Sequence, residues 1–233
     1  MSRASPNGGQ PPAFAIPVNW TFRDAGVAAG FDRHVREQLP WYDHATGAVA
    51  HVARHYLPQG GTVYDLGAAT GNIGRALAPA LEARGATLIP VEASPEMAAL
   101  YAGPQPENLV VAPAEEFALD YFDVAIAFLT LMFIPLGSRR ALLQKLVRYA
   151  RPGGAVIIFD KCEAVRGYAA TVLWRLALAG KVAAGVEAAE IVAKELSLSG
   201  VQRPFDPALL DHLGKPAIEF FRFGEFAGWL IET

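Results

Sequence analysis

A glycine loop after a short apolar strand constrains the fold of this chain more than any other feature. The strand reads GTVYDLG over residues 61–67, and the loop continues through Gly71 and Gly74 into a helix. Glycines at such a turn let the backbone approach a ligand that a Cβ atom would keep away. In open parallel sheets, ligands bind beyond the carboxyl ends of the strands, where the strand order reverses. The loop therefore predicts a ligand site, and a turn that serves only chain reversal is the alternative.

An acidic residue follows this loop at the spacing expected of a ribose-binding carboxylate. Glu92 ends the second predicted strand, and it lies roughly 20 residues beyond Gly71, as such an acid does in nucleotide-binding folds. The dinucleotide fingerprint requires G-x-G-x-x-G, whereas this loop reads G-A-A-T-G-N-I-G and lacks the second glycine. The looser pattern D-L-G-x-x-x-G, which begins at Asp65, fits a nucleoside that carries an amino-acid tail.

Strands and helices alternate along most of the chain, which is typical of βαβ units with a parallel sheet. The pattern predicts an α/β fold with a doubly wound, Rossmann-like and mostly parallel sheet. Helices precede the first strand, and a helical insertion over residues 163–198 precedes the last two strands. Gly85 is predicted to stop the helix after the loop, and Ser94 to cap the next one. The remaining predicted strands read ATLIPVEAS, NLVVAP, FDVAIAFL, AVIIFDK after Pro152-Gly153-Gly154, and AIEFFRFGEFAGWLIET as a hairpin.

Composition indicates how the chain is divided into domains and which classes of partner it could bind. Residues 1–17 are rich in Pro, Gly and Ser, so they are predicted to form a flexible tail before a single domain over residues 18–233. A net charge of -3 gives no electrostatic indication of nucleic-acid binding. The single cysteine, Cys162, excludes an intrachain disulfide framework and a cysteine-based zinc cluster.

The most apolar stretch, Gly167–Ile191, is predicted to be a packed helix rather than a membrane span. Arg175, Lys181 and Glu187 interrupt it, and the start of the chain lacks the apolar run of a secretory signal, so a cytoplasmic location is expected. The same stretch carries more apolar surface than one helix face can hide. We therefore predict a homodimer that buries part of it.

The sequence resembles the carboxy-S-adenosylmethionine synthase family, a branch of the class I S-adenosylmethionine-dependent methyltransferases. Members of that family act on S-adenosylmethionine and prephenate. The resemblance runs from Trp20 almost to the end of the chain. The motifs that carry it are WTF at 20–22, LPWY at 39–42, VYDLG at 63–67, SPEM at 94–97, TLMF at 130–133, ALLQKL at 141–146, RPGGAV at 151–156, DK at 160–161, and FFRFGEF near the end.

The resemblance implies that S-adenosylmethionine is the ligand and identifies the residues that would bind it. The matching or conservatively changed positions are Tyr42, Asp65, Gly67, Ala68, Ala69, Gly71, Glu92 and Ala93. Three positions depart from the family pattern. The acid that contacts adenine falls on Ala114, with Glu115 beside it, and an asparagine near the sulfonium falls on Phe128. The arginine that pairs with the transferred carboxylate falls on Glu195, or on Lys194 if the alignment shifts by one.

These departures favour plain methyl transfer over carboxymethyl chemistry. A ligand carboxylate beside Glu195 would be repelled, whereas an uncharged methyl on a sulfonium would be tolerated. The leading hypothesis is therefore an S-adenosylmethionine-dependent methyltransferase whose acceptor is unidentified. The alternatives are a carboxy-S-adenosylmethionine synthase that uses Lys194, and a non-catalytic binding or assembly protein. A further alternative is that Glu195 is a solvated helix residue that makes no contact with the ligand.

No catalytic triad or metal motif is evident, which is consistent with methyl transfer from an already activated sulfonium. Asp160 and Lys161 close a strand near the expected reacting centre, where they would orient an acceptor or form a salt-bridged strand end. Tyr42 would cover the ligand, donate a proton or pack in the core. The histidines, among them His34, are expected at the surface.

Overall fold

The computed structural model of the chain describes residues 15–163 and 166–233. Most of the predicted tail, residues 1–14, lies outside the described residues. Within those ranges, seven strands form one sheet: β1 Thr62–Leu66, β2 Thr87–Glu92, β3 Val110–Val111, β4 Phe122–Phe128, β5 Ala150–Lys161, β6 Ala217–Phe223 and β7 Phe226–Glu232. Their order is β3-β2-β1-β4-β5-β7-β6. Strands β1 to β5 pair in parallel, whereas β7 runs antiparallel to β5 and β6. The predicted doubly wound, mostly parallel α/β sheet is confirmed.

Helices cover both faces of this sheet. Their bounds are α1 Ala25–Gln38, α2 Tyr42–Tyr56, α3 Asn72–Arg84, α4 Pro95–Ala98, α5 Leu136–Tyr149, α6 Tyr168–Ala183 and α7 Ala188–Ser197. No helix among the described residues is long and apolar enough to cross a membrane.

The sheet separates two apolar clusters because neighbouring residues of a strand point to opposite faces. Val124 and Ile126 of β4 pack in the cluster that contains residues of α2 and α3. Ala125 and Ala127 pack in the cluster that contains residues of α5. Every residue of β4 is buried, which explains why its sequence is apolar almost throughout.

The predicted capping signals are confirmed by the backbone geometry. Gly85 ends α3 in the left-handed conformation, with φ of 54°. The hydroxyl of Ser94 accepts a hydrogen bond from the backbone N–H of Met97 at 3.2 Å, which caps α4. Asp24 caps α1 in the same way through the N–H of Val27.

Three predicted boundaries were wrong. The third strand was predicted over NLVVAP, but only Val110–Val111 pair with β2, because residues 106–108 form a 3-10 turn. Strand β5 begins at Ala150, so the Pro-Gly-Gly segment lies inside it, where Gly154 approaches the Asp123 carbonyl too closely for a side chain. The helical insertion is divided into α6 and α7 by a turn that contains Gly185, with φ of 88°.

Candidate ligand site

A cavity of about 400 Å³ opens at the carboxyl ends of β1, β2 and β4. Strand β1 lies between β2 and β4 here, so the cavity occupies the switch point that the fold predicts for a ligand. Twelve predicted site residues line it: Tyr42, Asp65, Gly67, Ala68, Ala69, Glu92, Ala93, Ala114, Glu115, Phe128, Lys194 and Glu195.

Gly71 was predicted as a ligand contact but is not among the lining residues. It precedes α3 as the cap residue, with φ of 91°. A Cβ atom there would lie 2.5 Å from the backbone nitrogen of Gly103. A glycine is therefore required at this position, because the loop packs closely against the backbone of Gly103.

Gly67 forms the floor of the cavity at the end of β1. Its φ is 75°, and a Cβ atom would lie 2.5 Å from the hydroxyl oxygen of Thr130. That hydroxyl donates a hydrogen bond to the carbonyl of Leu66 at 2.8 Å. The chain therefore turns sharply here and exposes backbone rather than side chain to the cavity.

Glu92 joins the loop to the end of β2. One carboxylate oxygen accepts a hydrogen bond from the N–H of Ala69, and the other accepts one from the N–H of Ser94, both at 2.8 Å. Burial raises the pKa of Glu92, and these backbone donors oppose that rise. A carboxylate held by two backbone donors has a fixed orientation, and it retains lone pairs for hydroxyl groups in the cavity.

Asp65 carries a carboxylate oxygen that receives no hydrogen bond from any residue the structure describes. The side chain is 1% exposed, and its Oδ2 is buried. Burial, followed by the charge of Glu92, raises the pKa of Asp65 to about 7. A buried acceptor without a donor is costly, so this position suits a ligand that brings a donor or a positive charge.

Much of the cavity wall is aromatic. Tyr42 packs edge-on against Phe128 with ring centroids 5.5 Å apart, and the Arg36 guanidinium lies 5.2 Å from the Tyr42 centroid. Burial raises the pKa of Tyr42 above its usual range, so the phenol keeps its proton at neutral pH. The aromatic side chains that line the cavity are Trp20, Phe22, Phe31, Tyr42, Phe128, Phe133 and Phe226.

Three lysines also line the cavity, Lys161, Lys181 and Lys194. Lys181 lies 3.2 Å from Glu195, and Lys161 lies 3.3 Å from the amide oxygen of Gln202. The amine of Lys194 lies over the indole ring of Trp20. Glu195 was predicted to repel an anionic ligand, but its pairing with Lys181 offsets that charge, so the repulsion argument is weaker than the sequence indicated.

The expectation that His34 lies at the surface was wrong. It is 2% exposed, lines the cavity and stacks on Trp20 with ring centroids 5.6 Å apart. Burial, then the nearby charge of Lys194, lowers the pKa of His34 to about 3, so the ring is neutral. The sequence carries a signal for this burial, because His34 falls on the helical stripe of Val27, Phe31 and Val35.

Helix α1 is joined to the glycine loop by side-chain contacts across the cavity rim. Thr70 donates to Asp32 at 2.5 Å, and Arg75 contacts the other oxygen of Asp32 at 3.2 Å. Arg36 donates to the side-chain oxygen of Asn72 at 2.9 Å. These contacts hold α1, which carries His34, over the site.

A metal centre is not supported by the part of the chain that the structure describes. His51 and His55 face each other with ring centroids 4.9 Å apart, yet no third His, Cys, Asp or Glu completes a ligand group there. The cavity itself offers an acid, a backbone turn and aromatic walls, which is the chemistry of a nucleoside site.

Comparisons with known proteins agree with this geometry. A family model described as a methyltransferase domain matches residues 64–158. The carboxy-S-adenosyl-L-methionine synthase of Staphylococcus epidermidis is 23% identical over 220 residues, covering 91% of this chain and 96% of that protein.

Two solved structures share the fold at low identity. Magnesium protoporphyrin IX methyltransferase from Synechocystis, solved with bound S-adenosylmethionine, has a TM-score of 0.56 and 16% identity, covering 91% of this chain and 95% of that one. An O-methyltransferase family protein from Burkholderia thailandensis has a TM-score of 0.59 and 13% identity, and this chain covers 90% of its own length and 60% of that protein.

The strand order, the glycine loop and the ribose-type acid together define a class I methyltransferase fold. Residues 64–158 match the methyltransferase domain model, and the chain shares its fold with solved methyltransferases. Its sequence is similar to the carboxy-S-adenosylmethionine synthases.

Proposed function

We propose that the cavity binds S-adenosylmethionine and that the chain transfers its methyl group to a small acceptor. The observation that carries this proposal is the pairing of Glu92, fixed at the end of β2, with the unsatisfied buried oxygen of Asp65. In a nucleoside with an amino-acid tail, the ribose hydroxyls would bind Glu92 and the ammonium group would bind Asp65. When bound, S-adenosylmethionine supplies a methyl group that its sulfonium has already activated.

The small residues between these acids fit the rest of such a ligand. Ala69 and Ala93 leave room beside Glu92, and Ala114 is a buried part of the wall. Glu115 is half-buried next to Ala114, where its carboxylate would accept a hydrogen bond from an adenine amino group. The chain's own role is to bind, to orient and to exclude water, because in-line placement of the acceptor supplies most of the rate enhancement.

The second candidate function is carboxy-S-adenosylmethionine synthesis. Lys181 and Lys194 both line the cavity, where Lys181 would attract a carboxylate and Lys194 would do so once it is protonated. Against it stands the pairing of Lys181 with Glu195, which leaves less positive charge for a ligand than the family arginine would provide.

Mass spectrometry of the ligand released from purified protein separates the candidates. S-adenosylmethionine or its homocysteine product supports methyl transfer, and the carboxylated form supports the second candidate. If no ligand is released, the protein is titrated with S-adenosylhomocysteine. Absence of binding in that titration contradicts both enzymatic candidates and leaves the assembly protein.

We also propose that a second copy of this chain covers α6 and α7. No residue of α6 is fully buried, and its exposed apolar side chains include Val172, Trp174 and Leu176. The exposed apolar residues Val192 and Leu196 continue this surface onto α7. In a twofold dimer, the apolar surface of α6 and α7 of one copy would meet the same surface of the other. The cytoplasmic location and the absence of a nucleic-acid partner stay predictions.

A further inference from the structure

The amine of Lys194 differs from those of the other cavity lysines in its surroundings. Lys181 and Lys161 lie 3.2 Å and 3.9 Å from carboxylates, of Glu195 and Glu225 respectively. Within the described ranges 15–163 and 166–233, Lys194 has no carboxylate oxygen within 4 Å, and its amine instead faces the indole of Trp20. The binding role proposed above leaves this amine unused.

The surroundings of Lys194 keep the amine neutral but tolerate its protonation. Burial, then the charge of Lys181, lowers the pKa of Lys194 to about 6, while Glu195 and Glu190 act in the opposite direction. Above pH 6 the amine therefore has a free lone pair. The indole face stabilises the ammonium that forms when a proton arrives. The titratable and charged groups that face it are Lys181 on α6, Glu190 and Glu195 on α7, and His34 on α1.

We propose that Lys194 is the proton acceptor for a hydroxyl group on an aromatic acceptor, which is the substrate class that the aromatic wall of the cavity fits. This inference rests on the proposed methyltransferase function. The walls are built from Trp20, Phe22, Phe128 and Phe226, which favour a flat apolar ring. The amine of Lys194 lies over Trp20 and has a lone pair to take a proton. The neutral ring of His34 also stacks on Trp20, but it is the weaker base, because burial lowers its pKa to about 3.

The step balances in atoms and charge. The O–H bond of the acceptor breaks, and its proton goes to Nζ of Lys194. The acceptor oxygen forms a bond to the methyl carbon, and the carbon–sulfur bond breaks with its electron pair left on sulfur. The products are a methyl aryl ether, a neutral thioether and a lysine ammonium, so the single positive charge moves from sulfur to Lys194. That ammonium then loses its proton to solvent.

A chromophoric phenol tests this role without a methyl transfer reaction. The probe is 4-nitrophenol, whose phenolate is yellow, added to protein loaded with S-adenosylhomocysteine at a pH slightly below the probe's own pKa. We expect the apparent pKa of the bound probe to fall by at least one unit, a tenfold shift, relative to free probe. The Lys194→Met variant should lose this shift, and Lys215→Met, which removes an exposed lysine outside the cavity, should keep it.

A second variant separates a proton acceptor from a fixed positive charge. In wild type, the proton leaves the probe but stays on Lys194, so calorimetry in buffers of different ionisation enthalpy should show almost no net proton release. Lys194→Arg is already charged, so each probe molecule that was neutral in solution should release its proton to the buffer when it ionises in the cavity. Equal proton release by wild type and Lys194→Arg, or a bound probe that stays neutral in wild type, overturns the proposal.

Failure of this proposal and failure of the proposed function give different results. If S-adenosylhomocysteine binds but 4-nitrophenol does not, Lys194 is not the acceptor-side base and the methyltransferase function stands. If S-adenosylhomocysteine does not bind, the proposed function has failed.

Discussion

At the residue scale, we predict that Glu195 influences which form of the ligand the cavity prefers. Replacing it by arginine reverses its charge and also releases Lys181 from its 3.2 Å ion pair. We expect Glu195→Arg to shift the relative affinity toward carboxy-S-adenosylmethionine over S-adenosylmethionine by more than tenfold, which is about 1.4 kcal/mol. Competitive titration of the two ligands into both proteins measures this ratio.

Two outcomes would contradict that account of Glu195. If wild type already binds the carboxylated form more tightly, the preference for an uncharged methyl is wrong. If neither protein distinguishes the ligands, Glu195 is a surface residue without a role in selection. Glu187→Arg, on an exposed residue outside the cavity, is the matched control for the added charge.

We expect the buried carboxyl of Asp65 to lower the stability of the ligand-free protein and to contribute to ligand binding. The folded protein keeps the Asp65 proton up to about pH 7, whereas the unfolded chain releases it near the ordinary pKa of 3.8. Folding therefore takes up a proton, and the contribution of Asp65 to the free energy of unfolding falls as the pH rises through this window.

The test of this trade-off is Asp65→Asn. Without ligand, urea unfolding should show the variant to be more stable than wild type by about 1–3 kcal/mol at pH 8, with the difference gone at pH 4. Its affinity for S-adenosylmethionine should fall, because the ammonium of the ligand loses a charged partner. Asp120→Asn, on an exposed aspartate, should change neither quantity. Equal stability of Asp65→Asn and wild type at pH 8 would show that burial of the charged carboxylate does not destabilise the fold.

At the element scale, α6 is expected to hold two copies together. Val172 and Leu176 are 46% and 44% exposed, and they lie one helical turn apart. The double variant Val172→Asp/Leu176→Asp should convert a dimer into a monomer in light scattering at micromolar concentration, because two charges would be buried at the interface. Tyr121→Ser removes an exposed apolar side chain elsewhere and should leave the dimer intact. A wild-type protein that is monomeric under these conditions contradicts the proposal.

The elements that the sequence predicted well are those with local signals. The strand into Gly67 and the helix that ends at Gly85 follow from residues within a few positions of each boundary. Strand β3 was predicted too long, because its exposed edge position and the turn at residues 106–108 depend on packing against β2.

The lining of the cavity was predicted well around the glycine loop and Glu92 and incompletely in the segment after β5. Glu92 and the loop are adjacent in chain order, so spacing alone relates them. Lys181 and Gln202 lie in a region without sequence landmarks, and only the fold brings them to the cavity wall with Lys161. Their ion pairs and hydrogen bonds join distant parts of the chain, which spacing does not reveal.

At the scale of the whole molecule, we propose that residues 18–233 fold as one unit around the cavity. The backbone N–H of Trp20 donates to the carbonyl of Ser197, so the start of this unit is bound to the helical insertion. Arg139, which is 1% exposed, donates to the carbonyls of Ile134 and Pro204 and so connects the segment after β4 to the segment after α7. Parts of the chain far apart in sequence thus close the same site.

The most direct test of this site is calorimetric titration of S-adenosylmethionine into wild type and Glu92→Ala. A charge-assisted hydrogen bond contributes about 1.5–3 kcal/mol, so the variant should bind at least tenfold more weakly. Glu107→Ala, on an exposed glutamate outside the cavity, is the matched control, and circular dichroism shows whether each variant is folded. Weaker binding by a folded Glu92→Ala protein, with Glu107→Ala unchanged, is the predicted result. Unchanged affinity of Glu92→Ala would contradict the placement of the ligand in this cavity.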